Sequence, residues 1–192
     1  MTDAAQPTPP PTDKDVYGVL VGPIDQVAVM RVANAAAITS GNNVTHCHMA
    51  IQTLGGNVAD GVALYNIFRT FPVPLTLYNI GSVASAGVIA FLGGERRITS
   101  AFGTFMIHRT TSSMPNLTSE KLRAAVRSVE LDDERTEKIF EPLKLTADHR
   151  ATHKIADLWL SSTEAVETGV ATKIGDFAPP KGTSVYYLGP TL

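Results

Sequence analysis

The sequence predicts an α/β domain built on a mainly parallel sheet. Strand-like and helix-like segments alternate from residue 16 onwards, and glycine or proline clusters separate them. The length, 192 residues, suits one domain with a substantial core.

Residues 16–21 read as a first strand. Residues 26–40 carry Val27, Met30, Ala33 and Ala37 at helical spacing, and Ser40-Gly41-Asn42-Asn43 stops that helix with turn chemistry. Residues 45–53 form a second strand, broken by Gly55-Gly56. A helix follows over residues 58–71 and ends at Pro72 and Pro74, which cannot continue it. Residues 75–80 are a third strand, Gly81-Ser82 a turn, and residues 84–92 a buried helix of small residues. Short strands follow at 97–99 and 104–108. Thr118 can cap a long helix, with Glu120 in its first turn favoured by the helix dipole and Leu122, Ala125, Val126 and Val129 along one face. Thr146 can cap another helix running towards Asp157, and a short one over 162–168 stops at Gly169. Before this array lies a Pro/Thr-rich tail over 1–14, and residues 179–192 are left as a C-terminal tail of the domain spanning 15–178.

Composition narrows the function classes. Net charge is −2, so a nucleic-acid or acidic-membrane partner, which favours a basic surface, is not expected. The single cysteine, Cys47, excludes an intrachain disulfide and suits a reducing compartment. The first residues lack the basic and apolar regions of a signal peptide, and the longest apolar stretch, 83–92, is too short to span a bilayer. The expectation is a cytoplasmic protein. No Walker phosphate loop is present.

The residues that could carry chemistry sit at the turns. Ser85 follows a strand and starts a helix, where free backbone N–H groups can stabilise an oxyanion. Taken alone it reads more readily as a small residue at a close helix contact; Ser82, in the preceding turn, is the competing nucleophile. Gly55-Gly56 allows close approach of a ligand to backbone N–H groups, or simply a tight turn. His108 ends an apolar strand and titrates near neutrality. Asp157, beside Leu158-Trp159-Leu160, needs a partner if buried, and His108 would serve. Two histidine pairs, His46/His48 on a strand and His149/His153 at i, i+4 on a helix, have metal-ligand spacing but no evident third ligand, so no metal or cofactor is expected.

Together these segments resemble the Clp protease proteolytic subunit. Thr53-Leu54-Gly55-Gly56-Asn57-Val58 is similar to the family's Ser-Pro-Gly-Gly-Ser-Val turn. Residues 81–87 are similar to its Gly-Gln-Ala-Ala-Ser-Met-Gly nucleophile segment. Phe105-Met106-Ile107-His108 resembles Val-Met-Ile-His, and Asp157 to Ser161 with Glu164-Ala165 and Gly169 resembles its Asp-x-Phe-x-Ser…Glu-Ala…Gly block. The resemblance implies a crotonase-like fold of repeated β-β-α units with a protruding helical handle over about 109–143. It implies a serine endopeptidase with Ser85 as nucleophile, His108 as base and Asp157 as the orienting acid. It further implies an oxyanion hole from Gly55, Gly56 and Ala86, and an extended peptide or unfolded-protein substrate along Asn57 and Val58. Its expected assembly is a homo-oligomer of stacked rings, with a Clp-type AAA+ unfoldase as a partner to be tested. Leu54, Arg109 and Ala156 depart from the family's proline, glutamine and arginine. The competing expectations are an inactive subunit of a mixed ring, an ATPase-independent peptidase of the capsid-maturation type, and a crotonase-type acyl-CoA enzyme, which needs no Ser-His-Asp set.

Overall fold

The computed structural model describes residues 14–113 and 118–189. The elements are β1 (Lys14–Val21), α1 (Gln26–Gly41), β2 (Val44–Thr53), α2 (Val58–Arg69), β3 (Leu75–Ala84), α3 (Ala86–Phe91), β4 (Arg96–Thr99), β5 (Thr104–Ile107), α4 (Ser119–Phe140), α5 (Ala147–Ile155), β6 (Leu158–Ser161), α6 (Ser162–Thr168), β7 (Lys173–Ile174) and β8 (Val185–Tyr187). Side-chain caps open most of the helices. Asp25 accepts from the Ala28 N–H, Asn57 from Ala59, Thr118 from Lys121 and Thr146 from His149, while Ser161 and Glu164 form a reciprocal capping box.

One sheet runs in the order β6-β5-β3-β2-β1-β8, and only β5 and β6 pair antiparallel. The sheet forks at β3. Thr76–Asn79 pairs with β4, which continues to β7, and Ser82–Ala84 pairs with β5. Asn79 sits buried at the fork, where its side chain donates to the Thr104 carbonyl and accepts from the Gly81 N–H. Those bonds satisfy polar groups that diverging strands would otherwise leave orphaned. The core lies between the sheet and α2 and α3. Every residue of α3 is buried, and Phe91 packs on Phe105 with ring centroids 5.3 Å apart.

Three expectations are corrected. Gly81-Ser82 is not a turn: β3 continues through it to Ala84, because β5 supplies a new partner where β4 leaves off. The C-terminal segment is not merely a tail: Val185–Tyr187 pairs with Tyr17–Val19 of β1, and the Leu188 N–H donates to the Val19 carbonyl. Its β-branched and aromatic residues suit a strand, but the pairing partner lies far away in sequence. At the other end, β1 already begins at Lys14. The apolar face of α4 read from the sequence points outward: Leu122 is 55% and Val126 53% exposed, whereas the buried residues of the helix are Asp133, Thr136 and Phe140. The rest of the Pro-rich N-terminal tail lies outside the described residues.

Candidate active site

Ser85 stands between the end of β3 and the start of α3. Its backbone has φ 54° and ψ −126°, a left-handed conformation that costs a non-glycine residue about 1–3 kcal/mol. Surrounding contacts hold it there: its N–H donates to the Met106 carbonyl of β5 at 2.8 Å, and its carbonyl accepts from Val88 at 2.9 Å. The sharp turn gives the hydroxyl a place outside both the strand and the helix, the logic of a strained strand-to-helix nucleophile turn. The β3–β5 pairing brings His108 beside it, and His108 Nε2 lies 2.7 Å from Ser85 Oγ.

The Gly55-Gly56 turn packs on the same spot. Gly55 has φ +98°, and a Cβ there would lie 2.6 Å from the Ser85 Cβ, so only glycine permits the approach. Gly56 has φ +158° and forms a parallel bridge with Ile24: the Ile24 N–H donates to the Gly55 carbonyl, and the Asn57 N–H to the Ile24 carbonyl. In such a bridge the N–H and carbonyl of the central residue, Gly56, point away from the partner strand. Gly56 and Ala86 both line the cavity beside Ser85. The Gly55 N–H instead donates to Thr53 Oγ1 at 3.0 Å.

The cavity, about 50 Å³, is walled by Val58, Ile89, Ile107 and Phe140, with Thr110, Thr111, Thr136 and Arg109 on its polar side. Val58 therefore reaches the site. The Asn57 side chain is engaged in capping α2, accepting from Ala59 at 2.8 Å.

Asp157 is exposed, one residue before β6, and makes no hydrogen bond to His108. Its backbone is nonetheless placed by register. Ile107 pairs with Leu158, so continuing the antiparallel ladder by one residue sets Asp157 opposite His108. Directly opposed residues place their Cβ atoms about 4.5–5.5 Å apart on one face.

Other candidates have structural partners. Ser82 lies within β3, opposite Thr104. Cys47 is buried, and burial pushes its thiol up to about 12, which leaves it protonated and unreactive. His46 and His48 stack with centroids 4.3 Å apart; His46 Nε2 meets Thr76 Oγ1 and His48 Nδ1 meets Tyr78 Oη. His153 is buried against Phe140, with Nδ1 3.5 Å from Glu137. Among the described residues, no three His, Cys, Asp or Glu side chains are grouped to hold a metal.

The sequence reasoning missed Ile89, Thr136 and Phe140 in the cavity wall. Their signal was present in part: Asp133, Thr136 and Phe140 recur at i, i+3 and i+7 on α4.

Comparison with known proteins decides the family. The Clp protease family model matches residues 18–177. The chain belongs to the Clp protease family, and with it to the serine peptidases. It is 25% identical to the ATP-dependent Clp protease proteolytic subunit 2 of Treponema pallidum, in a match covering 66% of this chain and 65% of the relative. It is 24% identical to the subunit of the same name from Pseudomonas aeruginosa, covering 81% of this chain and 78% of the relative. The Treponema denticola subunit is 26% identical over 81% of this chain and 80% of its own length. A solved structure of a ClpP1 point mutant from Listeria monocytogenes superposes with a TM-score of 0.72 at 20% identity, covering 85% of this chain and 91% of that one. The fold is therefore of the ClpP type. No helix among the described residues is long and apolar enough to cross a membrane.

Proposed function

We propose that this chain is a serine endopeptidase that hydrolyses short peptides and unfolded segments inside a ring-shaped homo-oligomer. The observation that carries the reading is the 2.7 Å contact between Ser85 Oγ and His108 Nε2, made at a strained serine on the N-terminus of a buried helix.

In this reading His108 takes the proton of Ser85 as the hydroxyl attacks a peptide carbonyl. The oxyanion forms against the N–H groups of Gly56 and Ala86, which need no reorganisation because a bridge and a helix start already hold their backbones. Gly55 shapes this hole through its close approach rather than as a donor. His108 then protonates the leaving amine, and water releases the acyl group. The substrate lies extended along the free edge at Gly56, with one side chain in the cavity walled by Val58, Ile89 and Phe140. A small apolar side chain is the occupant expected of so small a space.

Asp157 completes the triad by orienting the His108 imidazole. It lies opposite His108 in register but out of hydrogen-bond contact in the single chain, which favours a triad that closes on assembly. Surfaces for assembly are available: Met30 of α1 is 64% exposed, and the apolar stripe of α4 is uncovered. A cytoplasmic location and cooperation with a Clp-type AAA+ unfoldase go with this reading.

The test is hydrolysis of fluorogenic peptides and of an unfolded protein, measured across size-exclusion fractions of the wild type and of Ser85→Ala. Activity in the oligomer fraction, absent from Ser85→Ala, is the expected result. A well-formed oligomer that cleaves nothing would make the chain a structural subunit instead.

A further inference from the structure

Asp133 is a charged residue where helix amphipathicity calls for an apolar one. It is 9% exposed and shares the buried face of α4 with Thr136 and Phe140, both of which line the Ser85 cavity. Its carboxylate engages the two residues that follow His108. Oδ1 accepts from the Thr110 N–H at 2.9 Å; Oδ2 accepts from Arg109 Nε at 2.8 Å and faces a second guanidinium nitrogen at 2.5 Å. Burial by itself would raise the Asp133 pKa. The Thr110 N–H and the Arg109 guanidinium outweigh that and hold the carboxyl below the usual aspartate range.

We propose that Asp133 is a positioning residue, which grips the chain as it leaves β5 and so holds the His108 imidazole over Ser85. The reasoning rests on the reading of Ser85 and His108 given above. Among the described residues the His108 ring has one hydrogen bond, to Ser85 itself. Its alignment therefore depends on the backbone that carries it. On one side that backbone is paired through β5, and on the other it is held by Asp133. A charge-assisted bond to a part-buried backbone N–H is stronger than an exposed ion pair, and its loss leaves the carboxylate's backbone partner without an acceptor in the protein. Because α4 is continuous from Ser119 to Phe140, the grip also ties the reacting pair to the orientation of the whole helix.

The test uses the full chain and compares Asp133→Ala, Asp133→Asn and Arg109→Gln with the wild type, with thermal melts to confirm folding. The readouts are the rate of fluorophosphonate labelling and the separate kcat and KM for a fluorogenic peptide. Misplacement of a reacting group by about 1 Å can cost roughly 100-fold, so Asp133→Ala is expected to lower kcat and labelling about 10- to 100-fold with KM within about threefold. Asp133→Asn keeps an acceptor for Thr110 and recovers part of the rate. A folded Asp133→Ala that labels at the wild-type rate overturns the proposal, as does a raised KM at unchanged kcat, which would mark substrate contact. Should Asp133→Ala fail to fold, Arg109→Gln decides by the same criteria. Wild type that takes no label at any concentration overturns the Ser85 reading and this proposal together, a result distinct from equal labelling of wild type and variant.

Discussion

His108 and the His46/His48 pair are both strand histidines, yet their surroundings differ in kind. Both ring nitrogens of His48 are engaged, by Tyr78 Oη at 2.9 Å and Asp15 at 3.5 Å, and its ring lies between Tyr17 and His46. His46 is tied to Thr76. His108 has left its strand by one residue, touches one hydroxyl, and faces a cavity. The difference teaches that a histidine is available for chemistry where its strand ends at a crevice, and is a packing element where both strand neighbours supply partners.

The largest expected break between the two sites comes from removing the reacting pair. Ser85→Ala and His108→Ala should each lower peptidase activity by about 10³-fold or more, whereas His46→Asn and His48→Asn, assayed as folded oligomers, should stay within a few-fold of wild type. An equal loss at His48 would erase the distinction. Next is Asp157→Asn, expected to cost on the order of 10³-fold in kcat in the assembled protein. Size-resolved kinetics sharpen this: the penalty should appear in the oligomer and shrink in dissociated subunits, where Asp157 does not reach His108.

Gly56→Ala should follow at about 10²-fold, through disturbance of one oxyanion donor. A Cβ at Gly56 collides with the Ile24 carbonyl, so a lowered melting temperature should accompany the loss. A variant of normal stability and full activity would remove Gly56 from the hole.

The smallest effect concerns pH and the structural histidines. Burial, reinforced by the neighbouring charge of His48, lowers the pKa of His46; burial also lowers that of His153, against an opposing pull from Glu137. In the unfolded chain both titrate near the reference 6.5. The unfolded state therefore binds protons first as pH falls, and these histidines favour the folded state fully above that value. Melting temperature should decline from pH 7.5 to pH 5.5, and His153→Gln should flatten the slope. A melting temperature independent of pH across that interval would contradict the assignment.

Much of the frame was legible because apolar periodicity and Gly/Pro punctuation are local signals: β1, β2, α1 to α3 and the caps at Thr118 and Thr146 are read directly from them. What escaped depends on partners distant in sequence. Gly81-Ser82 has turn composition, but β5 captures it as strand. Residues 158–161 and 185–187 become strands only because β5 and β1 offer open edges. Within the site, Ser85, His108 and Gly56 announce themselves by falling at element ends. Asp133 and Arg109 look like two ordinary surface charges 24 positions apart, and only the packing of α4 on the end of β5 brings them together. The stripe at Leu122 and Val126 was read correctly as an apolar face, but amphipathicity does not say whether the face meets its own core or another chain.

The most direct test of the account is intact-mass measurement after fluorophosphonate treatment, on wild type, Ser85→Ala and Ser82→Ala. The account predicts a single adduct on wild type and Ser82→Ala and none on Ser85→Ala. An adduct that persists in Ser85→Ala, or that disappears only in Ser82→Ala, would contradict the assignment of Ser85 as the nucleophile.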